Sequence, residues 1–428
     1  MMCFLALIWL SNRFFAYILV RDDLYSSFTR VTLHEMYHQE DNIDILFLGS
    51  SHSYRAINTE VMDRGFEANT FNAGTSCQYL DGSYALLVEA GKENRLQKVY
   101  VEMYYALAGM NHEDRTELTS TYQISDNMRP SFNKFSFLLN GCGKDYWING
   151  LIPARRNWQK LFKKGYVADT IASKRTEAYV NYEWPGSEKE YYAGKGYIGS
   201  DVEAGDNVFV RKGGWGTVAT PVFAEDDIES LEKIIKYCDK NDIELVLYSA
   251  PMTDYRVADL GNYDSYIAQV NDFLADKQIR YYDFNLCKEQ YFSCTRENFS
   301  DHEHINTPGA RKFSELFSDF FTGKMTEEEL LYDSYADKMD SMEAQIFGLC
   351  YDVEESSEQK SIAFRIVGNK DQEARYCVYR RTEDEEYQEI ADVTSKDRVI
   401  IPMDEQGDLR VDLYDHDGKM TGSYQISY

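Results

Sequence analysis

The chain has 428 residues, 43% hydrophobic and 14% aromatic, with only 7 prolines. This is the profile of a folded protein too long for one growing core, so two domains, or one large domain with additions, are expected. Forty-five lysines and arginines against 72 aspartates and glutamates give a formal charge of -27, a field that disfavours nucleic acid and anionic headgroups as partners. Eight cysteines lie scattered without a CxxC pair, which argues against a zinc ribbon or a thioredoxin-like motif. Cys287 and Cys294 are close enough in sequence to close a small loop outside a reducing compartment, but unpaired buried thiols are the expectation.

The N-terminus reads MMCFLALIWLSNRFFAYILV. Ser11, Asn12 and Arg13 break its apolar character, which is poor material for a span of about 20 apolar residues. Residues 1–40 are read as a hydrophobic anchor or lead-in, either a signal anchor or an interfacial helix, placing the remainder outside the cytoplasm and tethered to the membrane. A buried N-terminal helix is the alternative.

From residue 43 the run IDILFLG is short, apolar and turn-bounded, as a strand covered on both faces should be. FEANTFNAG follows as a weaker strand ending at Gly74, YLDGSYALLVEAGKEN as a helix, and KVYVEMYY as a third strand. Periodicity then fails between about Ala106 and Ala224. After this insertion come a helix carrying Ile228, Leu231, Ile234, Ile235 and Cys238 on one face, the strand IELVLYSAP, a helix over Tyr263 to Leu274, and the strand IRYYDF. Strands alternating with helices predict a three-layer α/β/α parallel sheet across residues 41–323, with ligands bound outside the carboxyl ends of its strands. The last helix is expected to begin at NTPGARKFSELF with Thr307 as N-cap and Pro308 at the first helical position. Residues 324–344 read as an acidic helical linker. Residues 345–428, with AFRIVGN, ARYCVYRR, RVIIPM, LRVDLYD and GSYQISY, read as a small antiparallel β domain resembling a sandwich.

The stretch ILFLGSSHSYRAI leaves the first strand through two adjacent hydroxyls. A serine at the carboxyl end of a parallel strand, just before a helix, has its Oγ lifted from the core beside a helix N-terminus, which suits a nucleophile; it also suits a simple cap. Far along the chain, FSDHEHINTPGA sits between the last strand and the last helix. Asp301 and His304, three residues apart, allow the carboxylate to hold Nδ1 of the imidazole while Nε2 accepts a proton from serine. The same DHEH segment also reads as a polar surface loop, and its HxH spacing as a metal site. Ser50 reads as a turn or capping residue, and His52 as structural.

Together these blocks resemble the SGNH, or GDSL-type, hydrolase superfamily. GSS matches the first block with Ser51 at the nucleophile, NAG at Asn72 to Gly74 matches the second, and DHEH matches the last. Within the superfamily the chain looks most like the cell-envelope branch, which includes the D-alanyl-lipoteichoic acid biosynthesis protein D and the alginate O-acetylation proteins. The resemblance implies a flavodoxin-like fold and a serine esterase or O-acyltransferase acting on acyl esters of envelope glycans. Its catalytic residues would be Ser51, His304 and Asp301, and an acylated envelope polysaccharide or teichoic-acid-like polymer would be its substrate. The resemblance implies no cofactor, and a multipass membrane O-acyltransferase as a partner. The oxyanion would be held by backbone N–H groups of Ser51 and Gly74. The family's asparagine after the third strand is missing from VYVEMYYALAG; loss of one such donor costs about 100- to 1000-fold in rate unless the insertion or Asn72 supplies a third donor, and Tyr104 or Tyr105 reads either as a substitute proton donor or as an aromatic wall. The insertion, with Trp147, Trp158, Trp184 and Trp215, supplies aromatic material for an acceptor groove. The alternative from another class is a non-catalytic scaffold of this family that binds glycan or an acyltransferase.

Overall fold

In chain order the strands before residue 300 are β1 (Ile45–Leu48), β2 (Thr70–Asn72) and β3 (Lys98–Glu102). Within the insertion come β4 (Tyr191–Gly194), β5 (Tyr197–Gly199) and β6 (Val210–Lys212), and after it β7 (Glu244–Ser249) and β8 (Arg280–Asp283). The computed structural model describes residues 2–427 apart from 22–23, 108, 110, 113–114, 116–117, 214–222, 356–358, 371–374, 382–386, 394–397, 403–407 and 416.

β1, β2, β3, β7 and β8 form one sheet in the order β2-β1-β3-β7-β8. All four pairings are parallel, with Ile45 opposite Thr70 and Lys98, Lys98 opposite Glu244, and Val246 opposite Arg280. Every residue of β1 is buried, which is why its sequence is uninterruptedly apolar rather than alternating. Helix Thr307–Phe321 packs on helix Thr59–Phe66, and helix Leu80–Ala90 on helix Glu225–Lys240. Phe317 of the last helix sets its ring 5.8 Å from Phe47, 5.0 Å from Tyr100 and 5.3 Å from Tyr248, joining three neighbouring strands. The chain passes from β1 outward to β2 and returns to β3 on the other side of β1. The strand order therefore reverses between β1 and β3, the place where open α/β sheets form a ligand crevice.

The last helix is capped one residue earlier than its sequence suggests. Asn306, not Thr307, is the N-cap, its Oδ1 accepting from the N–H of Gly309 at 2.9 Å, and Pro308 is the second helical residue. An asparagine side chain reaches the third N–H as well as threonine does, so the sequence NTP offered two caps.

The insertion is more regular than its composition suggests. It holds helices Thr119–Asn127, Phe132–Leu151 and Tyr166–Ser173 besides the β4–β5 hairpin. The apolar period of Phe132–Leu151 is interrupted by Gly141, Gly143 and Gly150 because the segment is a folded-back pair of helices. Gly143 has φ 64, and a Cβ on Gly150 would lie 2.1 Å from Leu138 Cδ2, twelve residues that a straight helix would separate by about 18 Å. The hairpin turn rests on the end of β2. Asn72 donates its N–H to Lys195 O at 2.9 Å, and Gly196, at φ 79, approaches so closely that a Cβ would stand 1.7 Å from Asn72 O.

The expectation of a membrane anchor is corrected. Among the described residues no helix is long and apolar enough to cross a membrane, and the extracytoplasmic placement that leaned on the anchor goes with it. Met2–Leu19 is a helix held by the insertion: Asn12 Nδ2 donates to Leu151 O at 2.9 Å, Tyr166 Oη to Leu19 O at 3.2 Å and Lys174 Nζ to Ala16 O at 3.4 Å. The polar residues that interrupt the apolar run include one of these contacts.

Beyond the linker helices Glu327–Leu330 and Tyr335–Ser341 come β9 (Ile346–Glu355), β10 (Gln359–Gly368), β11 (Arg375–Arg381), β12 (Gln388–Val393), β13 (Arg398–Pro402), β14 (Asp408–Tyr414) and β15 (Met420–Ser427). They make two four-stranded sheets, β13-β10-β9-β6 and β12-β11-β14-β15. Leu349, Ile362 and Phe364 of one share a core with Val378, Leu409 and Val411 of the other. The edge strand β6 comes from the insertion and pairs parallel with β9, Val210 opposite Leu349. Cys287 and Cys294 are free, buried thiols.

Candidate active site

β1 ends at Gly49, whose φ of 151 and approach to β3 admit no side chain: a Cβ there would lie 2.5 Å from that of Glu102. Ser50 follows as the N-cap of helix Ser51–Ala56, its Oγ accepting from the N–H of His52 at 3.2 Å. The capping role thus falls to the first serine, which leaves Ser51 as the opening residue of the helix. Its Oγ lies 2.8 Å from Nε2 of His304.

His304 stands in the loop after β8. Its Nδ1 is 2.9 Å from Oδ2 and 3.1 Å from Oδ1 of Asp301. Asp301 Oδ1 also accepts the backbone N–H groups of Glu303 and His304, each at 2.8 Å. A carboxylate facing Nδ1 assigns the proton to that nitrogen and leaves Nε2 as the acceptor. Burial favours the neutral acid of Asp301, but its hydrogen bond to His304, the imidazole's charge and the two N–H donors outweigh it, holding the carboxyl well below its usual range. The loop is pinned to helix Ser51–Ala56 by buried Arg55, whose Nη1 reaches Glu190 Oε1 at 2.7 Å and whose Nη2 donates to Ser300 Oγ at 2.9 Å. Three distant segments, 49–55, 190 and 300–304, are thereby clamped together.

The expected oxyanion donors are arranged differently from the sequence reading. The N–H of Ser51 belongs to the first turn of a helix, which has no partner within the helix. The N–H of Gly74, however, donates to Asn72 Oδ1 at 2.9 Å, and Asn72 Nδ2 donates to Ser53 O at 3.0 Å. Asn72 therefore ties the β2 loop to helix Ser51–Ala56 and does not present a third donor. Gly74 needs its missing side chain, since a Cβ would lie 3.1 Å from Gly49 O and 3.2 Å from Ser50 O.

Sequence reasoning missed a second layer of side chains. Glu102, at the end of β3, is 5% exposed, and its Oε2 accepts both the N–H and the Oγ–H of Ser50 at 2.9 Å. Burial pushes its carboxyl up to about 7, against the pull of those two bonds. His52 is also buried, its ring 4.0 Å from that of Tyr104 and 4.9 Å from that of His304. Burial, with the charge of His304, lowers it to about 3, so it is a neutral imidazole at neutral pH. Glu303 lies between these groups: Oε1 accepts from Arg256 Nε at 2.5 Å, and Oε2 is 4.0 Å from His52 Nε2. Arg256 also donates to Tyr105 Oη, so that tyrosine serves the arginine rather than an oxyanion. The only local signals were a histidine directly after the serine pair and a glutamate ending an apolar strand.

A cavity of about 350 Å³ opens beside the histidine, lined by His302, His304 and Asp301, by Arg256 and Tyr255, and by Val208 and Arg211 from the insertion. Among the described residues no tryptophan lines it. Trp147 packs on Phe135, Trp158 on Phe162 and Trp184 on Phe28, while Trp215 lies outside the described residues. The HxH pair is not the metal-capable set either: among the described residues, the ligand atoms that come within 4.8 Å of one another belong to His52, Glu303 and His304. No protein-family model matches the chain, and no curated protein matches it significantly.

Proposed function

We propose that the chain is a serine-dependent esterase or O-acyltransferase of the SGNH hydrolase type, acting on small acyl esters of glycan hydroxyls. The observation that carries this reading is the continuous contact from Asp301 through His304 to Ser51, 2.9 Å and then 2.8 Å. Ser51 Oγ attacks the ester carbonyl carbon as its proton passes to His304 Nε2, and Asp301 stabilises the imidazolium that results. The oxyanion falls to the N–H of Ser51 and to that of Gly74 once it turns from Asn72 Oδ1. Collapse breaks the bond to the leaving alcohol, which takes the proton back from His304. Water, or a sugar hydroxyl deprotonated by the same imidazole, then releases the acyl group from Ser51. The cavity beside His304 offers room for the alcohol that leaves or accepts the acyl group.

Hydrolysis of 4-nitrophenyl acetate tests the reading. Turnover that drops by a factor of roughly 1000 or more in Ser51→Ala, with the fold unchanged, supports it. The engagement of Gly74 N–H by Asn72 favours the alternative of a glycan-binding scaffold without turnover. Intact protein that leaves acetyl esters untouched yet binds acylated glycans would establish that alternative.

A further inference from the structure

His52 Nε2 is a buried nitrogen for which no hydrogen-bond partner is found, in a side chain only 2% exposed. A buried imidazole nitrogen left unpaired is costly, and such groups are retained where something else occupies the partner's place. Oε2 of Glu303 faces it from 4.0 Å, too long for a hydrogen bond, and His304 supplies a further nitrogen within 4.8 Å of both. Two imidazoles and one carboxylate are a ligand set suited to zinc, which binds nitrogen at about 2.0–2.1 Å and leaves the fourth position open. Ligands on one zinc ion stand roughly 3.2–3.5 Å apart when tetrahedral, so closure onto an ion needs contractions of up to about 1.5 Å from the present separations, made by side-chain rotation in a glutamate and two histidines.

We infer that His52, Glu303 and His304 form a divalent-cation site, zinc being the ion of best fit, and that its occupation switches the esterase off. The second half rests on the proposed function, and follows from the bonding. Both ring nitrogens of His304 are already committed, Nδ1 to Asp301 and Nε2 to Ser51. A metal ion must take one of them. Coordination through Nε2 removes the base from Ser51, and coordination through Nδ1 displaces the carboxylate that orients the ring; either breaks the proton path without any covalent change. Arg256, bonded to Glu303 Oε1, competes with an ion for that carboxylate and so weakens its binding.

The test uses full-length protein stripped with a chelator. Zinc binding is followed by competition with a chromophoric chelator, and Ser51 reactivity by the rate of fluorophosphonate labelling with and without zinc. The expected result is one zinc per chain at micromolar concentration, with binding weakened at least 10-fold both in His52→Phe, which keeps the stacked ring, and in Glu303→Gln. Labelling of the native chain should slow at least 10-fold when zinc is bound and recover on adding chelator, and the ratio of rates with and without zinc should approach one in both variants. Absence of zinc binding, or binding that survives both substitutions, overturns the site. Binding that leaves labelling unchanged overturns the switch. A chain that binds zinc through these residues but never reacts with the probe keeps the site and rejects the esterase.

Discussion

Two carboxylates stand at the carboxyl edge of the sheet, and they differ in every respect that matters. Asp301 lies in a loop, accepts two backbone N–H groups and an imidazole, and is held ionised far into acid. Glu102 ends a buried strand, accepts only from Ser50, and is pushed up to about 7. Donors, not mere proximity to Ser51, decide which acid carries charge. Asp301 is placed to face the imidazole of His304 as a carboxylate, whereas Glu102 holds the Gly49–Ser51 turn in shape.

The largest effect is expected at Asp301. Asp301→Asn keeps the shape but presents Nδ1 with an amide that can favour the wrong tautomer, and kcat/KM for acetyl esters is expected to fall by roughly 100- to 10,000-fold. A change under threefold would remove the residue from the mechanism. Next comes Glu102→Gln. The folded pKa of Glu102 lies above its unfolded value, so between pH about 4.5 and 7 the native state binds the extra proton and stability declines as pH rises, by on the order of 3 kcal/mol. The glutamine variant lacks this loss. Urea midpoints measured from pH 5 to pH 8 should show the variant gaining on the native protein, and parallel curves would show that Glu102 is not perturbed. The smallest effect is expected at Asn306, the cap that closes the histidine loop. Asn306→Ala should cost about 1 kcal/mol in thermal unfolding, whereas Thr307→Ala should cost less because Thr307 is not the cap.

What the sequence revealed follows from how each residue is placed. Ser51 was legible because an apolar strand delivered it, and Asp301 with His304 because their hydrogen bond spans one turn and so is written in a spacing of three. Glu102, Arg55 and Glu190 were not legible: each acts on a segment more than 50 positions away, and the position of Glu102 at the end of an apolar strand does not reveal its partner. The folded-back helices of Phe132–Leu151 were hidden by the glycines that make the fold-back possible. β6 was hidden because a three-residue strand inside the insertion finds its partner about 140 residues later. The apolar N-terminus suggested a lipid environment, whereas its helix docks on the insertion through the same polar residue that spoils a membrane span.

The most direct test of the central claim is to treat the chain with a fluorophosphonate and locate the adduct by peptide mass spectrometry. One phosphonylated residue at Ser51, lost in His304→Ala as well as in Ser51→Ala, is the predicted result. Labelling at another residue, or undiminished labelling in His304→Ala, would contradict it.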